Sequence, residues 1–348
     1  VRPKLSACLI VKNEEKNIAK TLQSLQGLVD EVCLVDTGST DETVSIVKSL
    51  GVEPFFFEWI DDFAAAKNFA KSKATGDWVL MVDGDEIIDP RDHKDILKAI
   101  SAEGAKCYRI PKRSYVNYEN LFKFEPNDDS YPQGEGFLGW LTEKNDLLFI
   151  NSEEIYFEDC IHETVNRSVI KAGIEVWELP TVVIHNYGRH DMSSKGELYD
   201  RLIRKRVLES PKDPIAWHYL GLVDDAAGNF EIAVDHYKKA RELGHNEDAI
   251  YHMALSYMNT HNSIEAEKAY IEYLQINPKR VEAWEELIRV FAFQKRVDKL
   301  NNTPKVLAKN NMGDHRIWRS LAGAYKHLGF SSIGQVYWDR AEACQRKN

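Results

Sequence analysis

The first third of the chain alternates short apolar, β-branched runs with amphipathic stretches. Residues 5–11, 31–35, 52–57 and 77–82 read as strands, and 13–25, 41–50 and 61–73 as helices. Such alternation predicts an α/β domain with a mostly parallel sheet and crossover helices on its faces. Ligands of open α/β sheets bind beyond the carboxyl ends of the strands, which is where Lys12, Asp36 and Asp83 fall. From about residue 199 a repeat replaces the strands. Trp217, Ile250, Trp284 and Trp318 are spaced by 33, 34 and 34 residues. Leu220, Met253, Leu287 and Leu321 keep the same register, as do Ala233 with Ala266 and Tyr237 with Tyr270. A period of this length predicts an all-α array of stacked helix pairs, with the aromatic residues in its core. The third repeat loses the pattern after Phe293, and Pro304 predicts a short or displaced second helix there. Residues 112–198 show no clear period, and 127–136, rich in Asp, Pro and Gly, read as a mobile loop. The predicted domains are 1–198, with a nucleotide-binding half at 1–110 and an acceptor half at 111–198, and 199–348.

Composition narrows the function. With 348 residues and 43% hydrophobic content, the chain is long enough for two cored domains. Its formal charge of −10 argues against nucleic acid as a partner, because a phosphate-backbone binder carries a basic stripe. The five cysteines form no C-x-x-C pair, so neither a disulfide framework nor a zinc ribbon is indicated, and a reducing cytoplasm fits best. No apolar run approaches the length of a membrane span, and no signal-peptide pattern opens the sequence.

The candidate chemistry lies at the predicted sheet edge. Asp83-Gly84-Asp85 follows the fourth strand, and a D-x-D turn of this kind offers hard oxygen ligands to Mn²⁺ or Mg²⁺. Asp36 ends the second strand as an acceptor for a base N–H or a ribose hydroxyl. Gly38 permits a tight turn after it, and Ser39 or Thr40 is placed to cap the following helix.

The strings Leu9-Ile10-Val11-Lys12-Asn13-Glu14-Glu15, Asp36-Thr37-Gly38-Ser39-Thr40-Asp41 and Asp83-Gly84-Asp85, in that order, closely resemble the opening of family 2 glycosyltransferases with the GT-A fold. The 34-residue repeat, with W-x-x-L-G at Trp217, resembles tetratricopeptide repeats. The first resemblance implies a UDP-sugar donor, an inverting reaction and a divalent metal. It places Val11, Asn13, Glu14, Asp36, Lys67, Asp83 and Gly84 at the nucleotide-sugar, with Asp36 reading uracil and Asp83 at the ribose or a metal-bound water. Asp85 becomes the metal ligand. Lys67 stands where relatives carry arginine, so the charge is kept and the bidentate fork lost. The Asp159-Cys160-Ile161-His162-Glu163 segment resembles the family's H-E element, which makes Glu163 the candidate base. His185 resembles a downstream histidine that completes the metal shell or touches diphosphate, and Arg189 and Lys195 are candidates to clamp diphosphate. Family 2 enzymes fused to such repeats resemble transferases that glycosylate Ser, Thr or Cys of peptides and proteins, so a peptide or protein acceptor is expected, with self-association of the repeats as a homodimer compatible. A saccharide acceptor, as in lipopolysaccharide or capsule assembly, is the alternative. A non-catalytic scaffold is a further alternative, against which the retained Asp36, Asp83, Asp85 and Glu163 speak.

Overall fold

The computed structural model describes residues 2–118, 124–188, 192–245 and 247–345. Two compact units divide it, Val1–Leu202 and Ile203–Asn348.

The first unit is built on β1 (Leu5–Val11), seven residues with hardly any exposed side chain. A run this apolar can only sit mid-sheet with both faces covered. It pairs in parallel with β2 (Glu31–Asp36) on one side and β4 (Trp78–Met81) on the other, and β3 (Phe55–Phe56) pairs in parallel with β2. Helices α1 (Ile18–Ser24), α2 (Thr43–Ser49) and α3 (Phe63–Lys71) supply the crossovers. Beyond β4 the sheet becomes mixed. The strands β5 (Glu86–Ile88), β6 (Cys107–Val116), β7 (Phe124–Pro126), β8 (Gly139–Ile150), β9 (Val176–Glu178) and β10 (Ile184–Asn186) complete ten strands in the order β3-β2-β1-β4-β8-β6-β10-β5, with β7 on β8 and β9 on β6. The twelve-residue β8 runs antiparallel to both β4 and β6. The run of consecutive parallel pairs predicted from the first third gives way to a mixed pattern, in which β6 is parallel to β9 and β10 while β8 is antiparallel to its neighbours.

The first predicted helix is shorter than expected, for a local reason. The first helix begins at Ile18, not at 13, because the Asn13 and Glu14 amides are committed to Ser39 Oγ (2.9 Å) and Thr43 Oγ1 (2.7 Å), and Asn13 has φ 57°. Ser39 and Thr40 therefore cap no helix; they tie the loop after β2 to the loop after β1. The 127–136 segment closes on Asn127, whose Nδ2 donates to the carbonyls of Gly134 (2.7 Å) and Phe137 (3.2 Å).

The second unit consists of helix hairpins. After α4 (His93–Ala99), α5 (Asn166–Lys171) and α6 (Met192–Glu209) come the pairs α7 (Pro214–Ala226) with α8 (Phe230–Glu242), α9 (Glu247–Asn259) with α10 (Ser263–Ile276), α11 (Val281–Phe293) with α12 (Val297–Lys309), and α13 (His315–His327) with α14 (Ser331–Gln345). The repeat's residue choices have physical causes. Trp217 and Trp284 each donate Nε1 to a proline carbonyl, of Pro211 and Pro278, at 2.9 Å. Gly221 lets α8 approach α7: a Cβ there would lie 2.4 Å from the Tyr237 ring. Contrary to the expectation for the third repeat, α12 is a full thirteen-residue helix with Pro304 inside it. Its buried Leu300, Thr303 and Leu307 form one stripe, and packing of that stripe overrides the missing proline N–H.

Candidate active site

The loops at the carboxyl ends of β1 and β2 are woven together. The Val11 carbonyl accepts from Thr37 N (2.9 Å) and Thr37 Oγ1 (3.1 Å), and Asn13 Oδ1 accepts from Thr40 N at 2.8 Å. Asp36, 2% exposed, uses Oδ1 to accept the Gly38 and Ser39 amides at 2.9 Å each, which the turn at Gly38 (φ 103°) makes possible. Its Oδ2 is buried and has no hydrogen-bond partner. Buried acceptors are normally satisfied, so this oxygen is suited to a ligand N–H or O–H.

Gly84 seats the D-x-D turn on the end of β1. A Cβ on it would come within 2.9 Å of Val11 Cγ1 and 3.0 Å of Glu14 Cγ, and Thr21 Oγ1 donates to its carbonyl at 2.9 Å. Glu86 holds the turn from below: its carboxylate accepts from Asp83 N (2.9 Å) and Asn186 Nδ2 (3.2 Å) and pairs with Lys112 Nζ. The Asp85 carboxylate packs on Gly188, where a Cβ would stand 1.8 Å from Oδ2, so a side chain at 188 would displace the carboxylate.

Lys67 is the hub. Projecting from α3 with an 8% exposed side chain, its Nζ lies 3.0 Å from Asp83 Oδ1 and 2.7 Å from Glu163 Oε1. Burial alone would lower its pKa, but the charges of Asp83 and Glu163 outweigh that and raise it, so the ammonium form is secured. The next residue, Asn68, clamps the segment leading to Glu163: Nδ2 donates to the Phe157 carbonyl (2.9 Å) and Oδ1 accepts from Phe157 N (2.8 Å). Glu163 then sits inside a narrow bridge closed by Glu158 and Thr164, with Asp159 (φ 75°) and His162 (φ 52°) in left-handed conformations. Non-glycine residues held this way store strain that the surroundings must offset, a common feature of functional loops. His162 is an exposed residue whose ring lies edge-on to Tyr199, with centroids 6.4 Å apart.

His185 lies elsewhere. It is in register with Arg113 of β6 and Ile87 of β5, so it faces the side of the sheet opposite Glu86 and Lys112. Fully buried, its Nδ1 is 2.7 Å from Tyr115 Oη, its ring centroid is 4.6 Å from that of Tyr131, and Nε2 has no partner. Burial, and then Arg113, hold its pKa at about 3, so the imidazole is neutral. Arg189 and the Lys195 side chain lie outside the described residues. Among the described residues, no group of three His, Cys, Asp or Glu is arranged to hold a metal ion, and no helix is long and apolar enough to cross a membrane.

Lys112 escaped the sequence reading. The signal was present: Ile110, Lys112 and Ser114 alternate along β6, and a lysine on the inward register of a strand needs a carboxylate. Glu86 is that carboxylate.

Residues 6–154 match the model of glycosyl transferase family 2. The amino-terminal domain belongs to that family. Its relatives include a TPR repeat-containing protein of Synechococcus elongatus, 28% identical over 265 residues, which cover 72% of this chain and 61% of that one. The SPbeta prophage-derived glycosyltransferase SunS of Bacillus subtilis is 23% identical over 319 residues, 86% of this chain and 70% of its own. An uncharacterized glycosyltransferase of Rickettsia typhi is 43% identical over 83 residues, 24% of this chain and 28% of its own. The chain thus spans 61% of the cyanobacterial relative's length and 28% of the rickettsial one's. The helical unit that follows the family 2 domain is a tetratricopeptide-type array.

Proposed function

We propose that the protein is an inverting, metal-dependent glycosyltransferase that moves a hexose or N-acetylhexosamine from a UDP-sugar to a Ser, Thr or Cys side chain of a peptide or protein. The observation that carries this reading is the convergence of Lys67, Asp83 and Glu163, from three separate stretches of chain, at the edge where Asp36 holds an unpartnered buried oxygen. Asp36 Oδ2 is suited to the uracil N–H, with Val11, Asn13, Glu14 and Gly84 shaping the floor beneath the nucleotide and Asp83 facing the ribose. The residues fit a hard divalent cation. Asp85 is cradled on Gly188, and the neutral His185, whose Nδ1 lies 2.7 Å from Tyr115 Oη, keeps a lone pair on Nε2 in the tautomer that carries its proton on Nδ1. These two would hold Mn²⁺ or Mg²⁺, with diphosphate completing the shell as it does for cations bound by few protein ligands. When bound, the cation supplies charge neutralisation for the departing diphosphate.

Glu163 accepts the proton of the acceptor hydroxyl or thiol as that atom forms its bond to the anomeric carbon and the bond to diphosphate breaks. Lys67 fixes the Glu163 carboxylate, and the Asn68 clamp fixes the segment that carries it. Helix pairs of the repeat type present extended surfaces suited to polypeptide segments, which supports a protein acceptor. The test is incubation with UDP-hexoses, UDP-N-acetylhexosamines and Mn²⁺ against both a peptide panel and free oligosaccharides, read by mass. Transfer to peptide side chains is expected; transfer to oligosaccharide alone would rule out the polypeptide acceptor.

A further inference from the structure

Lys112 has a position that charge compensation alone does not explain. Its Nζ pairs with Glu86, which is 1% exposed, and also stands 3.7 Å from Asp83 Oδ2, while Lys67 holds Asp83 Oδ1 at 3.0 Å. The first carboxylate of the D-x-D turn therefore has an ammonium on each oxygen, one from α3 and one from β6. Asp83 is thereby restrained by one close ammonium and a second at ion-pair distance, and the two lysines, shared with Glu86 and Glu163, leave the cluster one negative charge in excess. Glu86 in turn holds the Asp83 amide, so backbone and side chain of that residue are set by the same pair.

We propose that Lys112 is a positioning residue for the donor turn: anchored on Glu86, its ammonium fixes the Asp83 carboxylate towards the nucleotide and leaves Asp85 as the carboxylate offered to the metal. This rests on the reading of Asp83-Gly84-Asp85 as the donor turn. A merely structural lysine, there only to neutralise Glu86, makes a different prediction. Removing both charges would then restore everything, whereas a positioning lysine leaves a folded protein that has lost its hold on Asp83.

The experiment measures thermal midpoint and, by calorimetry with Mn²⁺ present, affinity for UDP in the full chain. Lys112→Met is expected to lower both. The double variant Glu86→Gln/Lys112→Met is expected to recover the midpoint yet bind UDP roughly 10–100-fold more weakly than wild type, the range typical of lost supporting partners around a metal site. Wild-type affinity in the folded double variant overturns the positioning role and leaves the donor reading standing. A wild-type chain that binds no UDP overturns the donor reading and this proposal together. If the double variant does not fold, Lys112→Gln, which keeps a hydrogen-bond donor towards Glu86 without the charge, decides instead: folded with weakened UDP binding supports the proposal, and folded with unchanged binding overturns it.

Discussion

At the scale of residues, the site is a chain of alternating charges, Glu86–Lys112–Asp83–Lys67–Glu163, most of it withdrawn from water. Breaking one partner of a buried pair costs roughly 3–5 kcal/mol, because the other charge is left uncompensated. Conservative changes at Glu163 are therefore more informative than deletions. Glu163→Gln keeps the shape and a hydrogen-bond acceptor for Lys67 but cannot take a proton, so turnover should fall by about 10²–10⁴ while calorimetric UDP affinity stays within a few-fold. A second prediction concerns Asp89, 4% exposed, which caps the turn at Pro90–Asp92 by accepting from Arg91 N at 2.8 Å. Burial would raise its pKa, but the Arg91 side-chain and backbone hydrogen bonds prevail and lower it from 3.8 to about 2. The unfolded chain thus takes up this proton first as pH falls. The stabilisation is complete above about pH 4 and is lost towards pH 2. Asp89→Asn keeps a cap acceptor but loses the ion pair with Arg91, so it should cost roughly 1–2 kcal/mol near neutrality, and the gap from wild type should narrow below pH 4 in denaturant titrations. How legible these residues were differed with their surroundings. Asp36, Asp83 and Asp85 stood out because each follows an apolar strand, whereas Lys112 lay hidden inside one and Glu163 was found only through family likeness.

Elements were read best where the period was long and worst where loops compete for backbone donors. The four Trp/Ile positions of the repeat fall in α7, α9, α11 and α13, one per hairpin. The first helix was overextended because periodicity cannot register that Asn13 and Glu14 give their amides to side chains after β2. In α12, Pro304 was given too much weight against the apolar stripe. That helix offers a measurable consequence. An interior proline removes one helical hydrogen bond at a cost of about 3 kcal/mol, so Pro304→Ala should stabilise the helical unit by roughly 1–3 kcal/mol and raise its calorimetric midpoint. A lowered midpoint would mean that the proline ring itself packs better than the helix it interrupts.

For the molecule as a whole, the two units carry different kinds of information, a mixed α/β sheet with a charged edge and an array of helix hairpins. If the first unit is the donor-binding one, UDP with Mn²⁺ at a hundredfold excess over its Kd should stabilise that unit by about 2.7 kcal/mol. Calorimetry of the full chain checks this, and no shift of any transition with ligand would contradict it. By itself, the sequence determined whatever depends on near neighbours: the alternation of strands and helices, the 34-residue repeat, and the delivery of Asp36 and Asp83 to the ends of their strands. Each of these follows from periods of two or 3.6 residues and from side chains a few positions apart. Only the tertiary structure decided that β8 enters antiparallel, that His185 faces away from the lysine cluster, and that Lys67, Lys112 and Glu163 meet around Asp83. Those residues are separated by tens of positions. What brings them together is the burial of many apolar side chains at once, and the pairing of charges follows from where that burial leaves them.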